Sequence, residues 1–420
     1  MMPTRWRVFA ILGLIFMMSV FFRVSMAVSA KDLAGDLHLG ADQLGVLSGI
    51  FFYAFALAQI PLGPLLDRFG GRKMISLTGV ITTLGAVVFA SAPSYPVAII
   101  GRTLLGIGTA CVLMGSLKIY TNLFTIQEFP AVSGYMIAAG NLGNMLATAP
   151  LAYAVTSFGW RLTFFAFSFL QAGAALTVYL VARDAPAWPD SPLPAAAPAD
   201  GEIVSQLAAW RTLFRTPTFW LICLLAFFWY GNYMVLQSLW GGPYLMEAVG
   251  MSRVQAGQTL MFTSLGLVLG SLVLGKTIDR MAGSLKKTIM AGQAVILLAM
   301  TVMLGPAEQL PRPLLSAVFF LIGLASGTAV IIYPLVRTLV PHQFAATAMT
   351  GVNLFLLLGA AVVQHIMGIY IASFPKGPLG YPASAYHGAF LIPICGLAVA
   401  LGLFFFAAER TDSPSTVPQA

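Results

Sequence analysis

A chain of 420 residues that is 59% hydrophobic, 12% aromatic and only 9% charged, with a mean hydropathy of +0.87, excludes a water-soluble globular protein, in which about a quarter of residues carry charge. The formal net charge of +8 does not indicate nucleic acid, because the Lys and Arg form neither a block nor a basic helix with interleaved aromatics. They fall instead between apolar runs of about 18 residues or more, the length that reads as a transmembrane helix.

In chain order, apolar runs broken at Pro, Gly and charge clusters predict six spans near 6–30, 43–66, 74–92, 97–121, 131–155 and 161–181. Six more follow near 217–241, 253–277, 286–305, 313–337, 345–373 and 385–407. The expected fold class is an all-α membrane protein with twelve transmembrane helices in two six-helix bundles, 1–182 and 217–408. Between them, 183–216 reads as a cytoplasmic Pro/Ala-rich linker with too little apolar surface to pack, and 409–420 as a cytoplasmic tail. The first span, opening at Trp6, is too long for a signal peptide and lacks a convincing cleavage site before Lys31, so it is expected to be retained. Thirteen of the 22 Lys and Arg cluster at one set of loops, among them Arg5, Arg7, Arg215 and Arg410, and five at the other. The positive-inside rule then puts both termini in the cytoplasm, of a bacterial inner membrane in this reading. Cys111, Cys223 and Cys395 sit in apolar segments without metal or disulfide spacing and read as packing residues.

The halves echo each other. The loop after the second span carries Gly63, Asp67, Arg68, Gly70, Arg72 and Lys73, and the loop after the eighth carries Gly275, Asp279, Arg280, Lys286 and Lys287. Gly108-Thr109-Ala110 followed by Lys118 in span four is matched by Gly327-Thr328-Ala329 followed by Arg337 in span ten. A parallel repeat of this kind places a substrate site between the halves near the bilayer midplane. The pattern GxxxDRxGxRK from Gly63 to Lys73, with its weaker copy, resembles the signature loop of the major facilitator superfamily, as does Arg102-xxx-Gly106. The resemblance implies that fold, with Asp67/Arg68 and Asp279/Arg280 forming a cytoplasmic gate.

Basic residues inside spans are costly and read as functional. Arg23 lies about 25 Å along span one at about 1.5 Å per residue. Lys118 and Arg337 lie nearer the inner ends of their spans, and Arg102 is expected to hydrogen-bond neighbouring helices. None of the 14 Asp and Glu falls in the interior of a span, which disfavours export of a cation and favours an anionic solute. Arg5-Trp6 through Phe22-Arg23 and Lys118-Ile119-Tyr120 are similar to the organophosphate antiporters and anion:cation symporters, where the resemblance implies that the span-one arginine contacts the substrate anion. Span seven departs from the phosphate antiporters: it has no arginine, only neutral groups such as Asn232, Tyr233, Gln237 and Trp240.

Tyr53, Asn141, Asn353 and Gln364 complete the candidate substrate-binding set, although buried amides also glue helices together. His365, an imidazole inside a span, is one candidate proton carrier because that side-chain type can switch charge at physiological pH, and Asp32 at the outer mouth is the other. No nucleophile–base pair, phosphate loop or metal cluster stands out, so neither an enzyme nor a cofactor is expected. The sequence thus reads as a secondary transporter that works as a monomer in the lipid bilayer, moving a small organic anion, a carboxylate-bearing metabolite, by proton-coupled uptake. Its alternatives are an amino-acid or metabolite antiporter and a transporter-like sensor.

Overall fold

The computed structural model describes residues 4–182, 210–280, 284–339, 345–378 and 380–406, with side chains at all of these except 4, 274–277, 279–280, 337–339 and 345–346. Asp279, Arg280 and Arg337 are thus outside the described side chains, and the linker as far as 209 and the tail are outside the described residues. Residues 210–214, read as linker, are instead helical, with Leu213 buried. Apart from an isolated Gly377–Gly380 bridge, the ordered elements among the described residues are helices and turns.

Eleven of the described helices are long and apolar enough to cross a membrane. A twelfth crossing comes from Phe129–Leu146, whose hydropathy is diluted by Asn141 and Asn144. It runs on into the start of Ala149–Val181, which folds back at Gly159 as span six. Gly159 (φ 75, ψ 159) and Gly70 (φ 81, ψ 162), the latter between spans two and three, occupy a backbone region open in practice only to glycine. They turn tight hairpins at opposite faces. With twelve crossings the first and last described spans open and close on the same face, the one the charge pattern reads as inner, where Lys286 Nζ at the start of span nine donates to the Phe405 carbonyl at the end of span twelve (2.9 Å).

Spans one, four, seven and ten are broken helices. Span one stops at Val24 and resumes as Met26–Asp36. Span four is Tyr95–Thr109 then Val112–Leu123, and span ten passes through a 3-10 segment at Gly327–Ile331, so the repeated Gly-Thr-Ala marks the break in both halves. Span seven, Pro217–Met234, opens into a π-helical turn at Val235–Leu239 before Gly241–Glu247. Such breaks free backbone groups that need partners. At the span-one break, fully buried Arg102 provides one: Nη1 donates to the Phe22 carbonyl (2.8 Å) and Nε to the Leu47 carbonyl (3.3 Å), while the guanidinium lies over the Phe51 ring. Arg102 thus ties spans one, two and four together, as the sequence suggests.

The two halves meet most closely through spans two and eleven. Gly45 and Gly49 bring span two against the backbone of Gln364, His365 and Ala361, the small-residue packing that membrane helices use where hydrophobicity cannot drive association. Cys111 and Cys223 are buried, but Cys395 is exposed on span twelve and is not a packing residue.

Candidate functional site

Arg23 stands in the last turn before the span-one break. Its Nη1 donates across the halves to the Tyr230 hydroxyl in span seven (3.4 Å), and its guanidinium covers the Phe55 ring of span two at 4.8 Å. The Nε is buried without a partner, and among the described residues no carboxylate pairs with it. A half-buried guanidinium with a buried open donor can receive an anion.

Around it lies an aromatic and amide lining. Tyr233, one turn from Tyr230 and stacked with it, and Trp229 each bury a donor without a partner. Tyr333, just beyond the span-ten break, donates to Asn353 Oδ1 (3.1 Å) and is within electrostatic reach of Tyr230 and Arg23. Asn353 Nδ2 donates in turn to Gln59 Oε1 (2.8 Å), crossing from span eleven to span two. Spans one, two, seven, ten and eleven therefore converge here. Tyr230, Tyr333 and Phe55 are not among the candidates the sequence yields; Tyr230 and Tyr333 lie within a turn or two of the breaks of spans seven and ten.

Several predicted residues lie elsewhere. Lys118 is not beside Arg23: its Nζ pairs with Asp67 Oδ1 (2.6 Å) and donates to the Leu66 carbonyl (2.9 Å), closing the end of span four on span two within one half. Asn232 is fully buried and spends its amide on the Phe228 and Pro393 carbonyls. Gln237 donates to Ser264 of span eight (2.8 Å), and Trp240 to the Gln364 carbonyl (3.0 Å). Gln364 accepts from Ser48 (2.6 Å) and Ser238 (3.2 Å), sealing spans two, seven and eleven. Asn141 is half-buried and accepts from Asn144, Tyr53 lies beside Gly49, and His365 is half-buried on the span-eleven seam. His387 contacts Glu308 (2.6 Å).

Contacts between the halves concentrate at the outer face. Asp32, past the span-one break, pairs with Arg253 at the start of span eight, which also reaches Thr156 (3.5 Å). The Tyr381 hydroxyl accepts from the Ala41 amide (3.1 Å), and Gly242 packs on the Ala27 carbonyl. Burial raises the Asp32 pKa above its ordinary value, the Arg253 charge opposes that rise, and the like charge of Asp36 adds to it. At the inner face, the ion pairs Arg5–Glu128 and Lys118–Asp67 each stay within one half, and Asp67 is 61% exposed. In the signature loop Arg68 covers Phe69, Arg72 donates to the Tyr179 carbonyl, Gly63 has open space around it and Lys73 is exposed.

Twelve spans in two repeated bundles, with broken helices meeting around a half-buried arginine, define a secondary transporter. The Major Facilitator Superfamily model matches residues 9–363 and 232–420, and the chain belongs to that family. It is 26% identical over 394 residues to a probable L-galactonate transporter of Escherichia coli, covering 90% of this chain and 83% of that one. It is 27% identical over 285 residues to a probable sulfoacetate transporter of Cupriavidus necator, covering 66% and 64% of the two chains. Among solved structures, a bacterial homologue of the human lysosomal transporter Spinster, inward-facing and unoccupied, superposes with a TM-score of 0.77 at 20% identity over 97% of both chains.

Proposed function

We propose that this transporter carries a small carboxylate-bearing metabolite, held by its anionic group on Arg23 and by its polar body on Tyr230, Tyr333, Asn353 and Gln59. The observation that carries the reading is Arg23, half-buried at the seam of the halves without an acidic partner among the described residues and with a buried, open Nε. The cargo named for both relatives is an organic anion, which fits a site with one fixed positive charge. The termini are cytoplasmic, and the arrangement here, tied together at the outer face, is the one that faces inward. Uptake is coupled to a proton taken up by Asp32, which is shielded when the outer face is shut. One chain suffices, since Arg23 and its neighbours are all supplied by it.

The test is a thermal-stabilisation screen of purified protein against sugar acids, sulfonates, amino acids, neutral sugars and organic cations, run in parallel on wild type and Arg23→Ala. A ligand at 100 times its Kd adds about 2.7 kcal/mol. Stabilisation of wild type by one class of organic acid, lost in Arg23→Ala, is the expected result. Equal stabilisation of both proteins, or hits confined to cations, refutes the anion site.

A further inference from the structure

Far from the transport site, spans three and six leave between them a groove of about 420 Å³ that opens sideways from the bundle. Its walls are Val80, Leu84, Ala172 and Leu176, and its inner end carries Lys73 and Ser76. Gly79 lies against Ala175 behind it, so the two helices close its floor. Arg72 fastens its mouth, donating from Nε to the Tyr179 carbonyl (2.8 Å) and lying over the Tyr179 ring at 4.8 Å.

Two features separate this groove from ordinary lipid-facing surface. The Ser76 side chain is only 9% exposed, and its hydroxyl has no partner although it lines the groove. Lys73, one turn away on the same helix face, is exposed and makes none of the ion pairs among the described residues. The cation and the orphan hydroxyl are separated by about 4.5 Å of helix rise, and from Lys73 to Leu84 the apolar wall runs about 16 Å. That is close to half of a hydrocarbon core of about 30 Å, the depth of one leaflet.

The geometry points to a binding site for one anionic phospholipid of the inner leaflet, its phosphate on Lys73, its ester or glycerol oxygen on Ser76 and one acyl chain along Val80, Leu84 and Leu176. Lys73 and Arg72 belong to the signature loop that also holds Asp67, so a lipid seated here braces spans three and six next to the proposed inner gate. A basic group at this depth draws an anionic headgroup.

The experiment is native mass spectrometry of the full chain released from bilayers containing equal phosphatidylglycerol and phosphatidylcholine of the same acyl chains. Wild type should retain phosphatidylglycerol in preference, and Lys73→Gln should lower that retention about fivefold, the equivalent of about 1 kcal/mol. Ala172→Phe, which fills the groove, should remove the bound lipid of either kind, and soluble glycerol phosphate should not displace it. Equal retention of the two lipids by wild type, or phosphatidylglycerol retention unchanged in both variants, overturns the proposal. Displacement by glycerol phosphate overturns it as well, since the site would then bind a free phosphate. Lys73→Gln changes an exposed side chain, so the folded protein is available for the comparison.

Discussion

Arg23 differs from the other paired cations in what surrounds it. Arg5, Lys118, Arg161 and Arg253 each sit against a carboxylate, whereas Arg23 has a tyrosine hydroxyl and an aromatic ring. Its buried Nε is therefore left for a ligand to pair with. Truncating one side of a buried charge pair costs about 2–5 kcal/mol, so Arg23→Ala should weaken binding of the carboxylate ligand by a factor of about 30 or more, read by calorimetry in detergent. Arg23→Lys keeps the charge but loses the planar fork and should fall between. The opposite pattern is expected at Asn232, whose amide joins span seven to Pro393 of span twelve. Asn232→Ala should lower stability by about 0.6 kcal/mol, the average for a hydrogen bond between membrane helices, and leave ligand affinity unchanged. Loss of affinity without loss of stability would move Asn232 into the binding site.

At the scale of elements, the spans were legible because a bilayer imposes length and hydropathy on every crossing, and the predicted ranges match the helices closely. What the sequence concealed is where those helices break, and the breaks decide which side chains face the seam. The interruption at Val24 sets Arg23 at a helix end, and the π-helical turn at Val235–Leu239 re-aims span seven, a device often found at functional sites. Lys118 shows the same limit: its place in the sequence says it is near the inner end of span four, but only the fold brings Asp67 to it. Gln237, Trp240 and Gln364 are polar and mid-span, the pattern of a ligand site and equally of helix glue; their partners Ser264, Ser48 and Ser238 lie far away in the chain. Glycine was the more direct signal. Gly70, with φ 81 and ψ 162, holds a conformation that an L residue adopts at about 1–3 kcal/mol. Gly70→Ala should lower the melting temperature accordingly, while Gly63→Ala, which meets open space, should leave it within error.

Across the whole molecule, the halves are tied together at the face read as outer. The Asp32–Arg253 pair joins span eight to the helix that follows span one, with Asp36, itself facing Arg161, and Thr156 close by. Burial in this closed arrangement raises the Asp32 pKa, more than Arg253 lowers it. In the proposed open arrangement Asp32 meets water and loses the burial that raises its pKa. By linkage, a group with the higher pKa in one state favours that state when protonated. Acid therefore favours the shut outer face, and this advantage is lost as pH rises through the raised pKa. In the proposed proton-coupled cycle, protonation of Asp32 from outside promotes closure over a bound substrate. The population can be read as a distance between labels on cysteines placed at Ser91 and Ser373, exposed residues near the outer ends of spans three and eleven, after replacing the exposed Cys395. In wild type the outer-closed fraction should fall as pH rises from about the unperturbed carboxylate range to neutrality. Asp32→Asn should give a fraction that does not change with pH, and should abolish proton-driven accumulation while leaving ligand binding at Arg23 intact. A wild-type pH profile retained in Asp32→Asn would assign the titration to another group.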